Sequence, residues 1–141
     1  MPEYTNAAVQ TVAANQNVLF TSTPVGCNTG NVIHREGSGI ATLRGVTNQC
    51  RARYRVSFVG NIAVPTGGTA GAISVSLAIN GEPLPASTAI VTPAAVEEYF
   101  NVSLDTFVDV PRGCCVTVAV RNTTATPINV QNANMIITRE A

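Results

Sequence analysis

The sequence predicts an all-β fold, an antiparallel sandwich of two sheets with about eight to ten short strands. Three observations lead to this fold class. Apolar residues recur at every second position in several segments, which is the spacing of one strand face. Glycine, proline and asparagine separate those segments. Helical periodicity is nearly absent, which argues against a parallel sheet, since parallel strands usually need a helix between them.

The first segment, residues 1–17, is polar and rich in alanine, asparagine and glutamine. It has few large apolar residues, so we expect a flexible arm or an arm that a partner orders. Residues 18–141 then form one domain, a length that can bury a real core. The segment has neither the basic nor the apolar region of a secretory signal, which predicts synthesis in the cytoplasm.

Four later segments carry the two-residue alternation most clearly. Their apolar members should face the core, because the positions between them are mostly polar, charged or small. These members are Ala52, Tyr54, Val56 and Phe58; Ile73, Val75, Leu77 and Ile79; Val102, Leu104, Val108 and Val110; and Val116, Val118 and Val120.

Turn residues lie between these strands. Asn80 and Gly81 form the dipeptide that is typical of a two-residue type I′ hairpin. Pro111 and Gly113 stand where a tight turn needs them. Residues 92–100, TPAAVEEYF, are the one candidate for a single helical turn.

The charge balance excludes some partners. Charged residues make up only 11% of the chain, and its formal net charge is zero. Proteins that bind nucleic acids or membrane surfaces usually carry a basic excess, so we expect no nucleic-acid partner. No apolar run approaches the roughly 18 residues of a membrane span, so we expect no membrane insertion.

The four cysteines are Cys27, Cys50, Cys114 and Cys115. They contain no C-x-x-C pair, and the chain has one histidine, so we expect no metal site. The neighbours Cys114 and Cys115 would face opposite ways on a strand. Two interpretations stay open: buried or idle thiols, and disulfides formed within or between subunits after release from the cytoplasm.

No set of residues for catalysis stands out. His34 is the only histidine, and no G-x-S-x-G motif accompanies it, so we expect a surface or interface residue. Glu97 and Glu98 are adjacent and do not form the separated pair of a glycosidase. Asp105 and Asp109 lack a nearby third carboxylate for calcium. We therefore expect no enzyme, no catalytic residue and no cofactor.

The run RARYRVSF, residues 51–58, places Arg51, Arg53 and Arg55 at alternate positions in a chain without lysine. These side chains should lie on one face of a strand, opposite its apolar residues. Three interpretations follow: a solvated sheet face, a subunit interface, or a binding site for an anionic ligand or a glycan.

The order of segments resembles the jelly-roll domain shared by tumour necrosis factor and the globular head of complement component one, in a bacterial or bacteriophage version. The resemblance covers about residues 18–140. The family's Gly-x-Tyr-x-Phe pattern is kept only as Tyr54 and Phe58. The segments that carry the resemblance are GSGIATLRG, CRARYRVSFVGNIAV, GGTAGAISVSLAINGEPL, VEEYFNVSLDTFVDVPRGCCVTVAVRNTT and INVQNANMIITRE.

The resemblance implies a jelly roll that forms a homotrimer around a threefold axis. It also implies that the arginine strand runs antiparallel beside the strand of Asp105 and Asp109, with the turns at 45–50 and 111–113 at one end. Arg51 would then lie near Asp109, and Arg55 near Asp105. In the family this outer sheet face packs against the next subunit, so the candidate interface residues are Arg51, Arg53, Arg55, Asp105, Phe107 and Asp109.

The phrases NVIHREGSGIATLRG and VTPAAVEEYFNV resemble those of short proteins from gut Firmicutes and their prophages. This implies a non-enzymatic structural protein that decorates a bacteriophage particle, as a capsid decoration or fibre head, anchored to a capsid or surface-layer protein through the N-terminal arm. One alternative is a spore- or cell-surface protein that polymerises through the arm or through disulfides. Another is an adhesion module that binds a host glycan.

Overall fold

The structure is a computed structural model that describes residues 2–26 and 31–140. These two ranges contain eleven strands and no helix. The strands are β1 (Glu3–Asn6), β2 (Gln10–Val12), β3 (Ser22–Val25), β4 (Val32–His34), β5 (Ile40–Arg44), β6 (Arg51–Ala63), β7 (Ile73–Ile79), β8 (Glu82–Val91), β9 (Phe100–Pro111), β10 (Cys115–Asn122) and β11 (Ile128–Arg139).

The strands form two antiparallel sheets. Sheet A has the order β3–β1–β11–β6–β9, and β2 also pairs with β11. Sheet B has the order β4–β5–β10–β7–β8. The prediction of an all-β sandwich of two antiparallel sheets is therefore confirmed.

The core lies between the two sheets and is built from the alternating apolar residues. The four predicted strands all supply it; Tyr54, Phe58 and Leu77, for example, are completely buried. Phe20, which precedes β3, packs edge-on against Phe58 at a ring-centroid distance of 6.3 Å. Fully burying such a side chain stabilises the fold by about 1.5–3 kcal/mol.

Residues 2–17, expected to be a flexible or partner-ordered arm, form two strands of sheet A instead. β1 pairs with β11 from Glu3↔Ile136 to Asn6↔Ala133, and β2 pairs with the start of β11. Tyr4 and Val12 are each only 3% exposed. One large side chain in each short strand thus reaches the core, and the chain's own β11 supplies the backbone partner.

The turns follow the predicted residues in two places and differ in a third. Asn80 and Gly81 have φ angles of 51° and 84°, as a type I′ hairpin requires. Gly113 has a φ angle of 77°, and the Cys114 amide donates to the Pro111 carbonyl oxygen at 3.0 Å. Residues 92–100 form no helical turn. Glu97 takes a left-handed φ of 57°, and its amide donates to the carbonyl oxygen of Val64, which is distant in the sequence.

Candidate subunit interface

The three arginines lie on the outer face of sheet A. β6 pairs antiparallel with β9 along its length, from Arg51↔Pro111 to Ile62↔Phe100. The alternate residues of β6, such as Tyr54, fill the core, so the arginines must point away from it. The predicted neighbour relationship of these two strands is confirmed.

Asp109 is shared by two arginines. Arg53 lies directly opposite it and donates from Nε to Oδ1 at 2.8 Å and from Nη2 to Oδ2 at 3.1 Å. The Nε of Arg51 lies 3.3 Å from Oδ2. The predicted proximity of Arg51 and Asp109 is confirmed. Because the register places Arg53 directly opposite Asp109, Arg53 is the residue that donates to this carboxylate through two nitrogen atoms.

Asp105 pairs diagonally with Arg55, as the resemblance implied. The Nε of Arg55 lies 3.1 Å from Oδ1 and 3.0 Å from Oδ2, and its Nη2 also contacts Oδ2. The Ser57 hydroxyl donates to Oδ1 at 3.1 Å from the directly opposite position. A guanidinium that donates through two nitrogens fixes the orientation of both side chains.

These hydrogen bonds shift the protonation equilibria. The bond from Arg55 lowers the pKa of Asp105, and the bond from Arg53 lowers the pKa of Asp109. The same bonds raise the pKa of both guanidinium groups. The paired side chains are between 41% and 53% exposed, so solvent screens their attraction in the single chain. Their main effect in one chain is to hold a fixed pattern of charge.

Apolar side chains lie between and beside the ion pairs. Phe107 is directly opposite Arg55 and is 62% exposed. Val59, further along β6, is 45% exposed, and Ile136 of β11 is half-buried opposite Ser57. The sequence reasoning missed Val59 and Ile136. The same alternation could have predicted Val59, because every second position of β6 from Arg51 to Val59 lies on one face of the strand.

His34 is half-buried and lies beside two aromatic rings. Its ring lies 4.3 Å from the Tyr4 ring and 6.3 Å from the Phe20 ring, between centroids. Its Nε2 lies 2.8 Å from the Ser38 carbonyl oxygen, which only a protonated Nε2 can contact as a donor. The half-buried ring packs β4 against β1, and the expectation of a surface or interface histidine stays a prediction.

The turns at 45–50 and 111–113 meet at one end of the sandwich, as predicted. The Gly45 amide donates to the Cys114 carbonyl oxygen at 2.9 Å, and the Arg112 amide donates to that of Cys50 at 3.0 Å. Cys50, Cys114 and Cys115 are free thiols and all are exposed, so these three are not buried, while the interpretations as idle thiols and as disulfides between subunits stay predictions. Cys27 lies outside the described residues.

The other end of the sandwich holds two adjoining clefts of about 520 and 530 Å³. Both are lined by Thr69 and Thr126, and the remaining lining comes from nearby loops and from the ends of strands β2, β7 and β8. Hydroxyl groups, backbone and aliphatic side chains make up these walls. Charged and aromatic side chains are missing from the described lining.

Within residues 2–26 and 31–140, no cluster of three or more histidine, cysteine, aspartate or glutamate side chains is arranged to hold a metal ion. The same residues contain no helix with the length and apolar character needed to cross a membrane.

No protein-family model matches the chain, and no curated protein matches it in sequence. Solved structures match it in shape. The Eiger TNF of S. frugiperda has a TM-score of 0.70 at 11% identity, over 100% of this chain and 92% of that chain. Murine APRIL has a TM-score of 0.62 at 9% identity, and the match covers 97% of this chain and 98% of that chain. The globular domain of the zebrafish complement 1qA protein has a TM-score of 0.55 at 10% identity, and the match covers 96% of this chain and 94% of that chain. The chain therefore has the jelly-roll fold of the tumour necrosis factor and complement globular domains.

Proposed function

We propose that this chain is a non-enzymatic structural protein that forms a homotrimer through the outer face of sheet A. The observation that carries the proposal is Phe107, an aromatic ring 62% exposed between two Arg–Asp pairs. Aromatic and arginine side chains are enriched at protein interfaces. A trimer is typical of this fold.

The ion pairs suit an interface because they exist before assembly. Arg53 and Arg55 are already held by Asp109 and Asp105, so a partner surface would order few additional rotamers. Burying paired charges contributes little net affinity, because desolvation offsets their attraction. Their fixed pattern instead selects the register and the partner, while the apolar area of Phe107 and Val59 supplies the favourable burial.

The assembly state tests this proposal. Three chains of 14.6 kDa give a mass of about 44 kDa in light scattering, with or without reductant. Arg53→Glu and Phe107→Ser should lower that mass toward a single chain. Ile90→Ser is the matched control, since Ile90 is 68% exposed on a strand of sheet B, and it should keep the trimer. A single-chain mass for the unaltered protein, or no effect of either variant, contradicts the proposed interface.

For the biological setting, we propose a surface position on a bacteriophage particle in preference to a spore or cell surface. The support is the resemblance of the quoted segments to short prophage proteins. Because β1 and β2 belong to sheet A and Asn17 bridges to Arg121 of β10, attachment would use the folded surface and not a free N-terminal arm. The protein should co-sediment with purified particles of its source. Recovery only in spore-coat or cell-wall extracts would favour the alternative surface.

The hydroxyl-lined clefts favour a second candidate function, binding of an uncharged glycan. Thr69 and Thr126 offer hydroxyl groups to both clefts, and hydroxyl groups can donate to and accept from sugar hydroxyls. A glycan array separates the two functions. Binding that is lost in Thr126→Val but kept in Arg53→Glu would support the glycan module, and an array without binding would remove it.

A further inference from the structure

One of the two hydroxyl-lined clefts contains a row of three side chains at the end of sheet B. Ser74 lies directly opposite Ile90 in the pairing of β7 with β8. Thr123, which follows β10, donates its amide to the Ser74 carbonyl oxygen at 3.1 Å. All three residues line the cleft of about 520 Å³. We call this cleft the Ile90 cleft.

Two hydroxyl groups of this row form an ordered pair. Ile73 and Val75 are 3% and 0% exposed, so Ser74 between them points away from the core. Its Oγ lies 2.6 Å from Oγ1 of Thr123, so one of these hydroxyls donates to the other. Each hydroxyl has one proton, and the pair therefore keeps one O–H that it does not use internally. That O–H can be donated to a ligand in the cleft.

The wall that carries Thr123 is fixed on β7. The Ser74 amide donates to Oγ1 of Thr124 at 2.8 Å, and that hydroxyl donates to the Ser74 carbonyl oxygen at 3.2 Å. The Thr124 amide in turn donates to Oδ1 of the buried Asn122 at 2.9 Å. The hydroxyl pair is therefore in place before a ligand arrives, and binding would order few additional rotamers.

Ile90 gives the cleft an apolar surface beside the hydroxyl pair. Its side chain is 68% exposed, so most of it is left in contact with water. The Cβ atoms of directly opposite residues lie about 4.5–5.5 Å apart, so Ile90 and the Ser74 hydroxyl border the same small space. Ala72 and Ala125 add two methyl groups to the lining. A ligand can therefore bury a methyl group here while an adjacent polar atom reaches the hydroxyl pair.

The lining favours a neutral ligand that carries an apolar substituent. In the part of the chain that the structure describes, the cleft has no charged and no aromatic side chain. Arg121, opposite Ser76, donates from Nη1 to the Gly81 carbonyl oxygen at 2.8 Å, beyond the end of β7 that lies away from the cleft. Aromatic side chains provide large apolar contact areas, so a sugar ring that meets none of them needs another apolar group for affinity.

We propose that the Ile90 cleft binds an N-acetylated sugar through its acetamido group. This proposal rests on the candidate function of uncharged-glycan binding and names the class of sugar. The methyl group would lie on Ile90, and the carbonyl oxygen, which is only an acceptor, would accept the spare O–H of the Ser74–Thr123 pair. Thr69 and Thr126 also line the adjoining cleft, so the rest of a longer glycan has room there.

Titration of the full chain with monosaccharides, followed by saturation-transfer NMR, tests the class of sugar. The probes are N-acetylglucosamine and N-acetylgalactosamine, each compared with its unacetylated parent. We expect one acetylated sugar to bind about tenfold more tightly than its parent, because it adds a buried methyl group and a hydrogen bond. Saturation should transfer most strongly to the acetyl methyl protons.

The outcomes separate this proposal from the glycan function itself. Equal affinities for the acetylated sugars and their parents would overturn the acetamido assignment and leave glycan binding in place. Tighter binding of fucose, a 6-deoxy sugar with a methyl group and no amide, would also overturn it. Binding of no sugar would remove both the assignment and the glycan function.

Two variants test the contacts within the cleft. Ile90→Ser and Thr123→Val should each reduce the preference for the acetylated sugar by about fivefold to tenfold. Ile33→Ser is the matched control, since Ile33 is 55% exposed on β4, the opposite edge strand of sheet B, and it should keep the preference. An unchanged preference in Ile90→Ser would overturn the proposal. Because Ile90→Ser should also keep the trimer mass, sugar binding and assembly are measured separately.

Discussion

At the scale of single residues, a buried amide holds one end of the sandwich together. Asn122 is completely buried at the end of β10. Its Nδ2 lies 3.1 Å from the Val12 carbonyl oxygen, 3.3 Å from that of Ala13 and 3.0 Å from that of Thr126. Its Oδ1 accepts from the Thr124 amide at 2.9 Å. One side chain thus joins β10 to the end of β2 and to the last connection.

Asn122→Ala should therefore lower the free energy of unfolding by about 1–3 kcal/mol, because buried carbonyl oxygens would lose their donor. Urea denaturation at one fixed protein concentration measures the change. Asn101→Ala is the control, since Asn101 is an exposed amide whose Nδ2 donates to Oδ1 of the neighbouring Asn61, and its cost should stay within about 0.5 kcal/mol. Equal costs for the two variants would contradict the role given to Asn122.

At the scale of elements, the N-terminal strands show how little sequence a strand needs when its partner is already formed. β1 has four residues and β2 has three. Both pair with β11, whose register with β6 shifts between Gln131 and Asn134. Neither short strand has an alternation long enough to recognise, so the one large apolar side chain that each buries, Tyr4 in β1 and Val12 in β2, is the signal that the sequence analysis missed.

Tyr4→Ala tests whether β1 belongs to the fold. Tyr4 is 3% exposed and packs on His34, so its truncation should cost about 3 kcal/mol of unfolding free energy, within the range for large aromatic residues. Val9→Ala, at a 50% exposed position between β1 and β2, should change little. Thermal melts of both variants provide the comparison. A Tyr4→Ala melt equal to the unaltered protein would restore the flexible-arm interpretation.

At the scale of the whole molecule, the net charge is zero, but three arginines and two aspartates form one patch on the outer face of sheet A. Every basic side chain other than His34 is an arginine, which stays protonated at all ordinary pH values. Acid therefore changes only the carboxylate side of each ion pair. When Asp105 and Asp109 are protonated, Arg51, Arg53 and Arg55 remain on one strand as neighbouring like charges.

Stability should fall in acid for this reason. The hydrogen bonds from the arginines lower the pKa of Asp105 and Asp109 below the ordinary 3.8. A lowered folded-state pKa means that the carboxylate pairs stabilise the fold fully above the unfolded-state pKa. That contribution is lost as the pH falls from about 5 through the folded-state values. The melting temperature and the trimer mass should both decrease over this range.

The double variant Asp105→Asn, Asp109→Asn provides the check on this acid dependence. Its melting temperature at pH 7 should be lower than that of the unaltered protein. The further decrease of its melting temperature in acid should be smaller than in the unaltered protein. Glu82→Gln, an exposed carboxylate on sheet B, should leave the pH profile unchanged. A double variant with the full acid dependence would place the titrating groups elsewhere.

The sequence by itself determined the fold class, the long strands and the sharp turns, because these depend on local chemistry. Two-residue alternation marks a strand face, and the dipeptide Asn80-Gly81 suits a type I′ turn wherever it occurs. The prediction of Arg51 beside Asp109 needed the resemblance as well. Only the tertiary structure decided which arginine faces Asp109, because a shift in register moves every cross-strand pair. It also decided that Tyr4 is buried and that Cys115 points outward, since both depend on strands distant in sequence.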